Sequence, residues 1–107
     1  MTHASVIVHP EDSAVSIVIR GEIDLENAET VEEHLTAAIP NRTTAVSLDL
    51  AEVEYVDSAG LRILFALAAR LEVLQIGLRV TAPPGSLTRR VLELSGFEAV
   101  APLEPGV

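Results

Sequence analysis

The chain has no cysteine, no lysine and no tryptophan. Without cysteine it can form neither a disulfide nor a thiolate metal site, and a reducing compartment, the cytoplasm, is the expected location. Without lysine, all side-chain positive charge beyond histidine rests on arginine, and the formal net charge is −9. Such a surface repels phosphate backbones and anionic lipid headgroups, so nucleic acid is not an expected partner. Aromatics are few, with only Tyr55, Phe65 and Phe97, and any core must be built from Val, Leu, Ile and Ala. No apolar run approaches the ~18 residues of a membrane-crossing helix, and no membrane insertion is expected. The start, Met1-Thr2-His3-Ala4-Ser5, has no basic segment and no long apolar segment, so no signal peptide is expected. There is no P-loop and no GxGxxG; Gly60 and Gly77 stand isolated, and no cofactor is implied. His3, His9 and His34 have no metal-ligand spacing with one another or with Asp12, which leaves them as surface residues and predicts no metal site.

What is present is 107 residues, 49% of them hydrophobic. That suffices for one domain with one core, spanning residues 1–107. Val6 and Val8, then Val15, Ile17 and Ile19, alternate at period two around His9-Pro10-Glu11-Asp12-Ser13, which predicts a hairpin. From about 26 to 39 the spacing predicts a helix, with Leu25, Ala28, Val31, Leu35, Ala38 and Ile39 on one stripe. Glu22, Asp24, Glu26, Glu29, Glu32 and Glu33 lie between Arg20 and Arg42 with no basic residue among them. They read either as a solvated helix face or as a docking patch for a basic partner.

Ala45–Leu50 reads as a third strand and residues 51–56 as a connection. A second helix is expected from Ser58 to about Leu74, with Leu61, Leu64, Phe65, Ala68 and Leu71 inward. Ile63, Ala66, Leu67 and Val73 add apolar character elsewhere on it, so it is either covered on two sides or shows an apolar patch to a partner. Leu78–Ala82 is a fourth strand, followed by a turn at Pro83-Pro84-Gly85. A third helix starts at Pro84 or Ser86 with Leu87, Val91, Leu92 and Leu94 as its apolar positions, and Gly96 stops it. Phe97–Ala101 is expected as a short fifth strand and 102–107 as an irregular tail. The order β-β-α-β-α-β-α-β implies an α/β fold, a small mixed β-sheet with helices packed against it.

Val56-Asp57-Ser58-Ala59-Gly60-Leu61 sits where a strand hands over to a helix. Ser58 there can act as a helix cap, worth about 1 kcal/mol, and Asp57 could do the same. A helix start is also a favourable place for a phosphate, because free N–H groups and the helix dipole meet the anion. Both readings stay open on the residues alone. A hydrolytic nucleophile does not fit, since Val56 stands where the nucleophile elbow needs glycine.

Gly21-Glu22-Ile23-Asp24-Leu25, Leu48-Asp49-Leu50, Val56-Asp57-Ser58-Ala59-Gly60-Leu61 and Val91-Leu92-Glu93-Leu94-Ser95-Gly96-Phe97, in this order over nearly the whole chain, resemble the STAS domain, most closely the free-standing bacterial anti-sigma factor antagonists. The resemblance implies a STAS-like fold and a partner switch rather than an enzyme. In that reading the unphosphorylated protein binds an anti-sigma factor serine kinase of the GHKL type and frees a sigma factor. Phosphorylation of Ser58 releases the complex, and a PP2C-type phosphatase restores the hydroxyl. The implied partner-binding residues are Asp24, Asp57, Ser58, Ala59, Gly60, Arg62 and Ile63. Ala59 departs from relatives that carry a second serine. The chain also stops soon after the fifth strand, where many relatives have a final helix, which makes a homodimer an option. The resemblance also admits a STAS subunit of a phospholipid ABC transporter, or a stressosome-like scaffold.

Overall fold

A computed structural model describes residues 2–106. Met1 and Val107, the two ends of the expected domain span, lie outside the described residues. Strands β1 (Ala4–Glu11) and β2 (Ala14–Ile23) form the hairpin, α1 (Ala28–Ala37) follows, and β3 (Ala45–Val56) leads into α2 (Ser58–Val73). Then come β4 (Gly77–Thr81), α3 (Leu87–Leu94), a single 3-10 turn at Phe97–Ala99 and β5 (Leu103–Glu104). The sheet order is β1-β2-β3-β4-β5, with β1 antiparallel to β2 and every later pair parallel. One face carries Val15, Ile17, Ile19, Val46, Leu48 and Val80 and is buried. The residues between them, such as Ser16, Ser47 and Arg79, are exposed. The alternation that marked the strands is thus the alternation between a helix-covered face and an open one.

Two departures from the sequence-based expectation lie in the strands. The third strand does not stop at Leu50 but runs on to Val56. Val18 pairs with Asp49 and Arg20 with Glu52, then Gly21 with Val53 and Glu22 with Tyr55. Each step adds one extra residue on β3, and the inward positions become Leu50, Val53 and Val56, three apart instead of two. These are β-bulges, and they erase the period-two signal while keeping the strand. The Asp49 Oδ1 accepts the Ala51 N–H at 2.9 Å across the first of them. The fifth strand lies at Leu103–Glu104, inside the expected irregular tail, and Phe97–Ala101 is not a strand. Gly96 takes φ 81° and starts the 3-10 turn, which drops Phe97 into the core edge-on to Phe65, with ring centroids 5.1 Å apart. The chain reaches the sheet only at Pro102, whose carbonyl accepts the Val80 N–H at 3.1 Å.

The helices depart less. α1 begins at Ala28, and Leu25 is not on its buried stripe but 78% exposed. α2 is covered on two sides. Ile63, Leu64, Leu67, Ala68 and Leu71 are buried while Leu61 and Phe65 are only half-buried, because the helix packs against α1 as well as the sheet. On α3 the inward positions are Thr88 and Leu92, and the expected apolar positions Leu87 and Leu94 are exposed. The Thr88 hydroxyl donates to the Val53 carbonyl at 2.9 Å, next to the second bulge. Ser86 caps α3 by accepting the Arg89 N–H at 3.1 Å.

Candidate functional site

β2 and β3 are parallel and end side by side, Ile23 opposite Val56. The loop that follows β2 and the helix that follows β3 therefore emerge next to each other. Between them stands Asp57. Its backbone is extended, it occupies the N-cap of α2, and its N–H donates to the Ile23 carbonyl at 3.2 Å. One carboxylate oxygen accepts the Gly60 N–H at 3.0 Å, the ordinary N-cap bond. The other accepts the Leu25 N–H at 3.1 Å, from the neighbouring loop. A single side chain thus starts the helix and fastens the β2–α1 loop to it.

The loop is shaped by its own polar residues. Asp24 Oδ1 accepts the Glu26 N–H at 2.9 Å, an Asx-turn. Asp24 Oδ2 accepts the Thr2 hydroxyl at 2.6 Å. The Asn27 side chain accepts the Asp24 N–H at 2.9 Å and donates to the Glu22 carbonyl at 2.8 Å. With its polar ends tied down, the loop leaves the Leu25 side chain in solvent.

Gly60 is buried where α2 crosses this loop. A Cβ there would lie 2.7 Å from the Ile23 carbonyl oxygen and 3.0 Å from a Val56 methyl. Only glycine allows the helix to start this close to the end of β2. Ala59 beside it is buried too.

Ser58 is the first residue of α2 and is exposed. The cap is Asp57, so of the two candidates for that duty the structure selects the aspartate. Among the described residues the Ser58 hydroxyl makes no hydrogen bond. The first N–H groups of a helix have no carbonyl four residues back within it, and here Asp57 serves that of Gly60, leaving the start of the helix open toward Ser58. Arg62, one turn on, is exposed and forms no ion pair among the described residues.

The structure therefore gathers Asp24, Asp57, Ser58, Ala59, Gly60 and Arg62 around one helix start. Ile63 does not join their surface. It is 2% exposed, packed with Leu35 and Leu67 between α1 and α2, because its position on the helix faces α1 rather than solvent. Leu25, Asn27 and Thr2 belong to the site and were not singled out in the sequence. Asn27 had a signal, an amide three residues after Asp24 that can close a turn. The spacing puts Leu25 on the helix stripe, and nothing local marks it as exposed. The site is a surface rather than a cleft: a hollow of about 140 Å³, lined by Thr36, Thr43, Leu67, Arg70 and Ile76, lies at the other end of α2.

Comparison with known proteins gives this geometry a family. Residues 8–104 match the family described as "Mlab, STAS domain". The anti-sigma-F factor antagonist RsfB of Mycobacterium tuberculosis is 33% identical over 95 residues, covering 88% of this chain and 75% of RsfB. The crystal structure of an anti-sigma factor antagonist from Mycobacterium paratuberculosis superposes with a TM-score of 0.86 at 30% identity, over 98% of this chain and 88% of that one. The anti-sigma factor antagonist SpoIIAA in its unphosphorylated form shares the fold, with a TM-score of 0.73 at 17% identity over 94% of this chain and 88% of its own. The chain belongs to the STAS domain family.

Proposed function

We propose that this protein is an anti-sigma factor antagonist whose docking surface is the start of α2 with the loop beside it, and that phosphorylation of Ser58 by its anti-sigma factor serine kinase switches that surface off. The observation that carries this reading is the exposed Ser58 hydroxyl on a helix start held rigid by its neighbour Asp57. The relatives named as anti-sigma factor antagonists supply the class of partner.

The chemistry follows from charge. A phosphate on Ser58 adds about −1.5 to −2 charges at neutral pH. The helix start accepts an anion, through its free N–H groups and dipole, so the fold stays intact. A partner pressed on this spot meets new bulk and new negative charge beside Asp57, Asp24 and Glu26. Loss of affinity is then local and needs no rearrangement. Leu25 supplies an apolar anchor and Arg62 a cation within the docking surface; Ile63 takes no part. A GHKL-type kinase that is itself the bound anti-sigma factor, and a PP2C-type phosphatase that restores the hydroxyl, complete the cycle in the cytoplasm.

The test is direct. The protein is incubated with its cognate kinase and ATP, and the modified residue is mapped by mass spectrometry. The reading expects one phosphate, on Ser58, and none on a Ser58→Ala variant. Modification elsewhere, or equal kinase binding by the Ser58→Ala and Ser58→Asp variants, would overturn it.

A further inference from the structure

The two edges of the sheet are finished differently. At one edge β5 is two residues long and lies between Pro102 and Pro105. A short strand bracketed by proline resists the addition of another strand. At the other edge β1 runs for eight residues, and its first five, Ala4-Ser5-Val6-Ile7-Val8, carry neither charge nor proline, while His9, Pro10 and Glu11 follow.

β1 pairs with β2 without a register break, from Ala4 opposite Gly21 to Glu11 opposite Ala14. The Glu22 N–H donates to the His3 carbonyl. In an antiparallel ladder, bonded and non-bonded pairs alternate, so Ser5, Ile7 and His9 bond to β2 while Ala4, Val6 and Val8 turn their N–H and C=O groups to the free edge. Pro10 falls in the outward set, where its missing N–H costs the β2 ladder nothing but takes one donor from the free edge, so pairing there rests on Ala4, Val6 and Val8. Beside this edge a groove is lined by Val6, Val8, His34, Ala37 and Ala38. It contains no carboxylate, in a chain of net charge −9.

We propose that β1 pairs antiparallel with β1 of a second copy of this chain, about a two-fold axis at Ile7. In that register Val6 faces Val8 of the second copy, and the outward N–H and C=O groups of both bond. Ile7 meets Ile7 on the open face, Ser5 meets His9, and His3 meets Glu11. One step away, with Val6 opposite Val6, Ile7 would face Ser5 and His3 would face His9. Of the two, only the Ile7-centred register gives Ile7 an aliphatic partner on the open face and sets the glutamate against an imidazole. The occupant follows from what the edge offers: unpaired backbone and aliphatic side chains, complementary to themselves, with no carboxylate at the centre to repel a second acidic copy or to select a basic peptide. The pairing is independent of the role proposed for Ser58, which lies beyond β2 at the end of β3.

The absence of cysteine makes the test clean. The non-hydrogen-bonded pair of an antiparallel ladder has its Cα atoms about 4.5 Å apart, within the range a disulfide spans. By sedimentation equilibrium at several hundred micromolar, the native chain is expected at twice its 11.4 kDa. Ile7→Cys should become a disulfide-linked dimer under mild oxidation, while Arg79→Cys, on the same face toward the other edge, should not. Ile7→Lys sets two ammonium groups opposite each other and should weaken association at least tenfold with an unchanged circular dichroism spectrum. A native chain that stays monomeric at every concentration overturns the proposal and leaves the edge to a strand of another protein. Equal cross-linking of the two cysteine variants, or a dimer indifferent to Ile7→Lys, overturns it as well.

Discussion

Asp57 accepts the backbone N–H of Leu25 at 3.1 Å, thirty-two residues away in the chain. The same carboxylate caps α2 through Gly60. The loop and the helix start are therefore one mechanical unit, and the exposed Leu25 and Ser58 side chains are presented together from it.

Removing that carboxylate should loosen both halves. Asp57→Ala loses a helix cap and a loop bond, and a net cost of about 1–3 kcal/mol is expected in urea denaturation. Asp57→Asn keeps one acceptor oxygen and should fall between the two. A cost no larger than that of an ordinary exposed substitution would show that the loop holds itself.

Gly60→Ala tests the close crossing. The new methyl would sit 2.7 Å from the Ile23 carbonyl, which is backbone and has little freedom to move. Overpacking of this kind costs about 1–3 kcal/mol. Alanine is otherwise the better helix residue, by about 1 kcal/mol, so an observed loss of thermal stability isolates the steric term, and a gain would refute it.

Leu25 and Ile63 should separate docking from folding. Leu25→Ala removes a side chain in solvent, so stability should change by no more than about 0.5 kcal/mol, while affinity for the anti-sigma factor falls. Ile63→Ala opens the α1–α2 interface and should cost about 2–5 kcal/mol of stability. Calorimetric titration beside thermal denaturation reads both. The opposite pattern would move the docking surface away from this loop.

For Ser58 the expected asymmetry is in binding alone. Ser58→Asp should weaken the complex by at least tenfold, about 1.4 kcal/mol, and Ser58→Ala should bind as the unmodified protein does. Both should melt near the native temperature, since the hydroxyl holds no part of the fold.

Much of this was legible from residue order. The hairpin, three helices and four of the strands announce themselves through period two or period three-to-four, and Asp57-Ser58 through its place between them. The period-two pattern ends at Leu50 because the bulges of β3 move the buried positions to Leu50, Val53 and Val56, a spacing that belongs to neither template. The segment Phe97–Ala101 reads as a strand because Phe97 is apolar, but a 3-10 turn and the contact with Phe65 bury it, not a sheet. Ile63 falls on the partner surface only by the family resemblance; the apolar residues around α2 already allow a helix covered on two sides, and α1 is the cover that buries Ile63. Leu25 shows the reverse error, an apolar residue left outside because Asp24, Asn27 and Asp57 hold its backbone where no core can reach it.

In the proposed switch, capping and signalling fall to adjacent residues, and that separation would set how often the signal is written. A hydroxyl that capped the helix would give up a bond worth about 1 kcal/mol each time it was esterified. Because Asp57 holds the helix instead, the proposed ester on Ser58 would be made and hydrolysed over many rounds on the same molecule, at the expense of nucleotide and not of newly synthesised protein.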